Sequence, residues 1–268
     1  MFRTIFFNII YFIFLLALSP LILYKIFVKG KYLKHLKERL GFFAYLRKKD
    51  VVWIHGVSVG EIKSAQPLIS QLKNIFNNLE IVVSSTSASG RMMAEKLYPD
   101  CQVISFPLDF SWGIRRFFEY FSPRIIILLE LEIWPNFLFL AREKKIPVFL
   151  LNGRLSEKSF RRFSMIKCFF PIISNGITHF SVQSEIYKER FEKLGIEKNK
   201  ISVTGNIKFD AISIEKVLEN SKEITLKLGI TSNMKVLVVG STHAPEEKMI
   251  INELSNIIKS FEEFRVII

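Results

Sequence analysis

Short apolar runs alternate with amphipathic stretches along most of the chain. Seven runs between residues 51 and 204 are rich in Val, Ile and Leu, a pattern typical of parallel strands covered on both faces. Helix-period stretches separate several of them, at Ile62–Phe76, Ile114–Tyr120, Asn136–Glu143 and Glu185–Leu194. The alternation predicts an α/β fold with a doubly wound parallel sheet. The predicted strands are Val51–His55, Ile81–Ser85, Val103–Phe106, Ile125–Leu129, Pro147–Leu151, Thr178–Val182 and Ile201–Thr204.

A second α/β unit follows the first. Asp210–Asn233 predicts a linker helix, and residues 235–242 predict a strand that ends in a small-residue loop. A helix at Glu246–Lys259 precedes Phe264–Ile268, which has the pattern of a buried strand. An apolar strand of a parallel sheet needs a covering helix. We therefore expect that this second domain is only begun and that the chain is truncated.

The first part of the chain carries a long apolar run. Thr4–Tyr24 contains no charged residue, and about 20 such residues are enough to cross a bilayer as a helix. Pro20 lies within the run, but proline is tolerated in membrane helices. A cleaved signal peptide is a rival interpretation, although the basic residues follow the run instead of preceding it. An interfacial helix is a third, which the all-round apolar character disfavours.

The charge distribution agrees with a membrane partner. The chain of 268 residues has a net charge of +13, from 38 basic and 25 acidic residues. A cluster after the apolar run predicts contact with anionic lipids of the inner membrane and, by the positive-inside rule, a cytoplasmic body. No nucleic-acid-binding motif accompanies the cluster, so nucleic acid is not expected as a partner. Its members are Lys25, Lys29, Lys31, Lys34, Lys37, Arg39, Arg47, Lys48 and Lys49.

These patterns divide the chain into four parts. Residues 1–26 form a membrane anchor helix, residues 27–50 a basic juxtamembrane segment, and residues 51–212 a Rossmann-like domain. Residues 213–268 hold the linker helix and the start of another Rossmann-like domain.

The strongest candidate for chemistry follows the first predicted strand. Val51–His55 leads through the small-residue loop Gly56-Val57-Ser58-Val59-Gly60 to Glu61, at the start of a helix. A carboxylate between a strand and a helix is common in α/β active sites. The same residues also match a capping box, in which Ser58 and Glu61 only hold the helix start. The pattern alone leaves both interpretations open.

Other loops carry further candidates, each with a plainer alternative. Glu130 and Glu132 follow a buried strand and share a face, but can be helix N-terminal acids. The hydroxyl-rich loop Ser84–Arg91 offers backbone N–H groups to an anion, or is a simple turn. Arg154 lies in a basic loop that suits phosphate or carboxylate groups, or is a solvated face. Lys208 lies where a cleft between domains would open, or in a hinge turn.

Together and in this order, the motifs resemble those of the 3-deoxy-D-manno-octulosonic acid (Kdo) transferases of lipopolysaccharide biosynthesis. The resemblance spans essentially the whole chain, and the ordered set is far more specific than any one motif. Besides the apolar anchor, the matching pieces are Glu38–Gly41, Trp53–Glu61, Ser84–Arg91, Phe106–Asp109, Glu130–Asn136, Asn152–Ser156, Gly205–Asp210, and Gly240–His243 with Glu246 and Glu247.

The resemblance implies a GT-B fold and a set of roles. Two Rossmann-like domains would face each other, residues 51–212 taking the lipid A precursor (lipid IVA) and residues 213–268 beginning the domain for CMP-Kdo. Glu61 would act as general base, and no cofactor or metal is implied. The implied acceptor-binding residues are Ser58, Gly60, Ser87, Arg91, Glu130, Glu132 and Arg154, and the implied donor-binding residues are Lys208, Ser241, Thr242 and His243.

Two other functions stay open at this point. Family members are considerably longer than this chain, and the part that it lacks would hold most of the donor site. An inactive or acceptor-binding remnant is therefore the alternative to a Kdo transferase. A sugar-nucleotide epimerase can carry turns like Gly205–Asp210, but the anchor and the basic cluster disfavour that interpretation.

Overall fold

The computed structural model describes residues 2–29, 35–43, 50–211, 214–257 and 263–268. The chain forms two compact units, Met1–Ala211 and Ile212–Ile268. Parts of the predicted basic segment and of the predicted linker, and the end of the helix predicted to reach Lys259, lie outside the described residues.

The first unit is built on a parallel sheet of seven strands in the order β3-β2-β1-β4-β5-β6-β7. Every neighbouring pair in it is parallel, so the predicted doubly wound Rossmann-like sheet is confirmed. All seven predicted strands are present, with ends shifted by up to two residues. The strands are β1 (Val52–His55), β2 (Ile81–Ser85), β3 (Gln102–Ser105), β4 (Ile125–Leu129), β5 (Val148–Gly153), β6 (His179–Val182) and β7 (Ile201–Val203).

Helices cover the sheet and precede it. The first unit also has 3₁₀ turns at Lys198–Lys200 and Phe209–Ala211. Its helices are α1 (Phe2–Lys29), α2 (Leu36–Arg39), α3 (Val59–Ser64), α4 (Gln66–Ile75), α5 (Ala88–Leu97), α6 (Ser111–Phe121), α7 (Pro135–Glu143), α8 (Glu157–Ser164), α9 (Phe170–Ser174) and α10 (Glu185–Lys193).

Two apolar layers hold the helices to the sheet. On β1, Trp53 belongs to a layer shared with α6 and α7, whereas Ile54 belongs to the opposite layer, shared with α3, α4 and α5. This alternation follows from the two-residue period of a strand. Because both layers consist of buried hydrophobic side chains, the polar groups that carry chemistry lie at the carboxyl ends of the strands.

One predicted helix is wrong as a single element. The apolar period from Ile62 to Phe76 predicted one helix, but the structure has α3 and α4, which meet at Ala65. Pro67 lies in the first turn of α4, where its missing N–H costs nothing, whereas in a continuous helix it would break the hydrogen-bond ladder. Ile75 and Phe76, predicted on the apolar face, are exposed.

Helix α1 holds the apolar run. Its stretch Arg3–Pro20 is long and apolar enough to cross a membrane, by length and composition. One face of its amino-terminal turns nevertheless packs on α6 and α7, and Thr4 is buried there. The first turns of α1 are therefore part of the first unit.

Polar side chains fasten α1 to that unit. Asn8 Nδ2 donates to Ser111 Oγ at 2.7 Å, and Asn8 Oδ1 accepts from Asn136 Nδ2 at 3.0 Å. The Tyr11 hydroxyl donates to Asp109 Oδ2 at 2.7 Å. We call these five side chains the latch. Asp109 and Asn136 are buried and the other three are half-buried, and polar groups paired in this way fix one register between helices.

The second unit contains α11 (Ile214–Lys227), β8 (Lys235–Val238), α12 (Glu246–Ile257) and β9 (Phe264–Ile267). Strands β8 and β9 pair in parallel, as the alternating pattern predicted. The prediction that the last strand is buried is wrong, because its side chains are partly or fully exposed in a sheet of two strands.

Candidate active site

Glu61 lies in the first turn of α3, which follows the loop after β1. Ser58 is the N-cap residue of α3, and its Oγ accepts from Glu61 N at 3.2 Å. In return, Glu61 Oε1 accepts from Ser58 Oγ at 2.8 Å and Glu61 Oε2 accepts from Val57 N at 2.7 Å. The carboxylate thus closes a reciprocal cap at the helix start. The capping interpretation is correct as far as geometry goes.

The surroundings of Glu61 also favour proton transfer. The residue is only 8% exposed, and burial raises the pKa of its carboxyl group. The hydrogen bonds from Val57 N and Ser58 oppose that rise in the pKa, whereas the nearby carboxylates Glu130 and Glu132 add to it. The rise brings the pKa of the carboxyl group closer to neutral pH. A general base is most effective when its pKa lies near the working pH.

Glu130 and Glu132 follow the end of β4. Glu130 has a φ of +58°, a left-handed conformation that is uncommon for a residue with a side chain and is often found at functional sites. Glu132 Oε2 accepts from Trp134 Nε1 at 2.7 Å. The backbone conformation of Glu130 and the indole contact of Glu132 thus set the positions of the two acids, as a site that must orient a substrate requires.

The three carboxylates converge on one cavity. It has a volume of about 390 Å³ and is lined by Glu61, Glu130, Leu131, Glu132, Arg154, Ser156 and Ser159. Lys208 Nζ lies 3.5 Å from Glu130 Oε1, at the edge of this group. The structure therefore brings the acids together with two cations, a combination that can remove a proton and hold an anionic group.

Three of the lining residues were not predicted as site residues, the apolar Leu131 and the polar Ser156 and Ser159. Ser156 is the N-cap of α8, where its Oγ accepts from Ser159 N at 3.2 Å. Ser156 is the last residue of the motif Asn152–Ser156, and Ser159 lies outside that motif. Two serines three residues apart in a basic stretch are only a weak sign of a site. They reach the cavity because the fold places the start of α8 beside the acids.

His55 lies beneath this cavity. The imidazole is fully buried, stacks on the Phe106 ring with centroids 3.8 Å apart, and places Nε2 3.6 Å from Glu132 Oε2. This packed histidine therefore supports one of the acids from inside the domain.

The other predicted acceptor-binding residues lie around the loop. Ser87 caps α5, accepting from Gly90 N at 3.0 Å, and donates to Val57 O at 2.6 Å, so it braces the Glu61 loop. Gly60 needs no close approach, because an added Cβ would lie 3.8 Å from Ser58 Oγ. The acceptor contacts of Ser87 and Gly60 stay predictions.

Arg91 is occupied elsewhere in the structure. Its guanidinium is buried, pairs with Glu38 and Glu95, and donates to Ser105 Oγ at 2.8 Å. It is absent from the residues that line the cavity. An acceptor contact of Arg91, which stays a prediction, would have to compete with this buried network.

The predicted donor loop belongs to the second unit. Ser241 has a φ of +64°, Thr242 Oγ1 donates to Glu247 Oε1 at 2.7 Å, and His243 N donates to Glu246 Oε2 at 2.9 Å. The loop is thus tied to the first turn of α12. Its role in donor binding stays a prediction. Within the described ranges, no group of three His, Cys, Asp or Glu residues could hold a metal ion.

The model of the family described as 3-deoxy-D-manno-octulosonic-acid transferase (kdotransferase) matches residues 34–211. The chain belongs to the Kdo transferase family. The match covers the whole described body of the first unit apart from α1, and it includes every residue that lines the cavity.

Relatives agree with the family model. The chain is 33% identical over 232 residues to a 3-deoxy-D-manno-octulosonic acid transferase of Chlamydia muridarum, covering 85% of this chain and 54% of the relative. It is 30% identical over 224 residues to one of Haemophilus influenzae, covering 82% of this chain and 52% of the relative. The chain thus spans about half the length of the curated relatives that it matches.

Solved structures agree on the fold. A UDP-GlcNAc 2-epimerase of Neisseria meningitidis, bound to UDP-GlcNAc, superposes with a TM-score of 0.53 at 16% identity, over 81% of this chain and 64% of that one. At this identity the likeness concerns the GT-B-like, Rossmann-like architecture alone. The epimerase alternative gains no support from it, because all the cavity residues lie within the range that the Kdo transferase family model matches.

Proposed function

We propose that the protein is a Kdo glycosyltransferase, which transfers Kdo from CMP-Kdo to the lipid A precursor lipid IVA in lipopolysaccharide core biosynthesis. The observation that carries this proposal is the cavity in which Glu61, Glu130 and Glu132 meet Arg154. Family membership supplies the reaction class. The acceptor is a lipid with anionic groups, and the cations beside the acids suit such groups.

In this proposal Glu61 is the general base. A sugar hydroxyl of the acceptor attacks the anomeric carbon of Kdo, its proton passes to the Glu61 carboxylate, and the bond from Kdo to the CMP phosphate breaks. The raised pKa of Glu61 supports this role, because a buried carboxylate beside other acids holds a proton more firmly. The cap and the base are compatible, since the same hydrogen bonds that hold α3 also orient the carboxylate.

The remaining groups position substrates. Glu130 and Glu132 orient the acceptor or the base, and Arg154 binds the anionic groups of the acceptor. Lys208 and the loop Ser241-Thr242-His243 bind the donor, where positive charge stabilises the leaving phosphate. Lys208 is already beside Glu130, so its charge lies next to the acids that the donor must approach.

The proposal places the protein at the cytoplasmic face of the inner membrane, with α1 as the anchor. The apolar stretch Arg3–Pro20 supports the anchoring, and the basic cluster that follows the apolar run supports contact with anionic lipids. Holding the enzyme at the membrane raises the local concentration of a lipid acceptor.

The test measures acceptor binding and transfer separately. Membranes that carry the full chain are incubated with lipid IVA, with and without CMP-Kdo, and bound lipid and transferred Kdo are quantified. We expect the wild type to do both. Glu61→Gln is expected to keep lipid binding and to lose roughly 100-fold or more of the transfer rate, the contribution of a general base.

The control is Glu185→Gln, the same substitution in the first turn of α10, where the side chain is largely exposed and away from the cavity. It is expected to transfer Kdo at the wild-type rate. Lipid binding without any transfer by the wild type would favour the acceptor-binding alternative over the enzyme. Equal transfer by wild type and Glu61→Gln would refute only the assignment of the base.

A further inference from the structure

An ordered turn of the first unit presents apolar side chains to solvent. All six residues from Ser164 to Phe169, between α8 and α9, are exposed, with Met165 84% and Phe169 63% exposed. The turn is nevertheless hydrogen-bonded, with Ile166 N donating to Phe163 O at 3.0 Å and Phe169 N donating to Ile166 O at 2.9 Å. The backbone thus fixes these apolar side chains outward, which is unfavourable unless something covers them.

An apolar groove continues this surface to α1. Its volume is about 390 Å³, and Phe169 lines it together with residues of α1, α7 and α9. Phe6, on the α1 side of the groove, is 60% exposed. The lining residues are Arg3, Phe6, Phe7, Phe139, Phe169, Ile172 and Ile173. The turn, the groove and the outer face of α1 therefore form one continuous apolar surface.

Basic residues accompany this surface. Between Glu157 and Ile173 the chain has four basic side chains, Lys158, Arg161, Arg162 and Lys167, and one acidic side chain, Glu157. Glu157 is already paired with Arg161 and Arg190. Phe160 and Phe163 turn the other side of α8 towards the core, so the helix keeps an outward basic face. Basic side chains beside protruding apolar ones are typical of surfaces that bind anionic membranes.

We propose that the exposed side chains of residues 165–169 and Ile172, together with the outer face of the amino-terminal turns of α1, form a second membrane-contact surface that inserts into a leaflet of anionic phospholipid. Apart from those turns of α1, this surface belongs to the globular body, and it is separate from the basic cluster that follows the apolar run. Continuity with the candidate membrane helix and the matching charge identify the bilayer as the partner.

The surface also lies close to the cavity. Ser156 and Ser159, at the amino-terminal end of α8, line the cavity, and Met165 follows the other end of this helix. Eight residues of helix span about 12 Å. If the proposed function is correct, the inserted turn holds the cavity at the height where a lipid acceptor leaves the bilayer.

The native Cys168 provides the test. It is exposed within the turn, whereas the other thiol, Cys101, is half-buried and is removed as Cys101→Ser. An environment-sensitive fluorophore on Cys168 of the full chain is compared in buffer and with vesicles of phosphatidylethanolamine and phosphatidylglycerol. We expect a shift of the emission to shorter wavelength and roughly twofold or stronger quenching by lipids with a nitroxide on the acyl chain.

The matched control carries the same fluorophore on Ile75→Cys, with both native thiols replaced by serine. Ile75 is 70% exposed and lies on α4, on the opposite face of the sheet. It is expected to show neither shift nor quenching, although α1 anchors the same molecule. Equal signals at residues 75 and 168, or no change at residue 168, would overturn the proposal and would point to a protein partner for this surface.

Two variants test the chemistry of the surface. Met165→Glu with Phe169→Glu changes exposed side chains only, so the fold is kept, and quenching at Cys168 is expected to disappear. Arg162→Glu with Lys167→Glu is expected to weaken binding to anionic vesicles by roughly tenfold or more and to spare binding to phosphatidylcholine vesicles. The same affinity for both vesicle types in the unaltered protein would refute the electrostatic part. None of these readouts depends on Kdo transfer, so failure here leaves the proposed function untouched.

Discussion

At the scale of single residues, Glu61 combines a structural and a proposed chemical role in one carboxylate. Its two oxygens accept hydrogen bonds from Val57 N and from the Ser58 hydroxyl. Both bonds favour the ionised form, whereas burial and the neighbouring acids favour the protonated form and outweigh them, so the pKa is raised. The cap therefore limits how far the pKa of the base rises.

Ser58→Ala separates these effects. The substitution removes one hydrogen bond to the charged carboxylate, so the pKa of Glu61 is expected to rise further. A base with a higher pKa becomes protonated at higher pH, and the acid limb of the pH profile of Kdo transfer should therefore move to higher pH. The lost N-cap is expected to cost about 1 kcal/mol of the free energy of unfolding.

The control for this prediction is Ser184→Ala, the N-cap position of α10, where the side chain makes no capping hydrogen bond. It should leave both the acid limb and the unfolding midpoint unchanged. A stability loss in Ser58→Ala with an unmoved acid limb would show that Glu61 is a cap and not the titrating base.

At the scale of the elements, Asp109 joins α1 to α7. Its carboxylate is buried, accepts from Tyr11, and caps α7 by accepting from Asn136 N at 3.0 Å and Phe137 N at 2.8 Å. Burial raises the pKa of Asp109 to about 7, although these three hydrogen bonds oppose the rise. Helix α7 begins directly after the loop of Glu130 and Glu132, so Asp109 fixes both the latch and the far end of that loop.

The raised pKa of Asp109 predicts that the free energy of unfolding depends on pH. Between pH 3.8, the ordinary pKa, and about 7 the folded state keeps a proton on Asp109 that the unfolded state has lost. Stability from this group is therefore present below pH 3.8 and is lost as the pH rises towards 7. We expect the slope of the unfolding midpoint between pH 5 and 8 to be smaller in Asp109→Asn than in the wild type.

Asp109→Asn should also be less stable throughout, because an amide cannot accept from both backbone N–H groups and from Tyr11 as the carboxylate does. Asp50→Asn is the control, since Asp50 forms an exposed ion pair with Arg124 and exposed pairs contribute little. Parallel curves for the wild type and Asp109→Asn would contradict the raised pKa.

The sequence predicted elements better than their connections. All seven strands of the main sheet could be predicted because strands buried on both faces appear as apolar runs. The break at Ala65 could not be predicted. Leu68, Ile69 and Leu72 continue the helical spacing of the apolar residues before the break, and only Pro67 signals the change. The acids could be predicted at the ends of β1 and β4, because parallel strands bring their carboxyl ends to one edge.

What the sequence could not give is side-chain partnership over long separations. Asp109 ends the motif Phe106–Asp109, but its hydrogen bond from Tyr11 joins residues 98 apart in the chain, and no local pattern indicates it. The same holds for Arg91, whose buried pairing with Glu38 joins residues 53 apart in the chain. Such pairings depend on how helices settle on the sheet.

At the scale of the whole molecule, the attachment of α1 at both ends constrains its relation to a membrane. The latch holds its amino-terminal turns to α6 and α7. The chain then returns to the same unit at Arg39, whose backbone O accepts from Leu108 N at 3.0 Å and whose Nε donates to Phe106 O at 3.0 Å. A helix that crosses a bilayer has its ends on opposite sides, whereas here both sides of the apolar run meet one body.

Chain length makes the conflict quantitative. From Tyr11 to Lys29, α1 can extend about 27 Å, close to the ~30 Å of the hydrocarbon core. The six steps from Lys29 to His35 can cover at most about 22 Å when fully extended. If the latch stays closed, a crossing by α1 leaves too little chain for the return to Arg39. We therefore expect α1 to lie within one leaflet, as an interfacial helix does.

This geometry predicts that the amino terminus and the body are reached from the same side of the membrane. The test uses sealed inside-out vesicles, with one protease-cleavable tag ahead of Met1 and a second tag on the body beside the exposed Ile75. Both tags should be cut without detergent. A spanning helix would instead protect the amino-terminal tag until the vesicles are opened, and that protection would contradict the latch.

Asn8→Leu with Tyr11→Phe removes the polar contacts of the latch while keeping the helix apolar. If the latch decides between the two arrangements, this variant should gain protection of the amino-terminal tag, because the freed helix is long and apolar enough to cross.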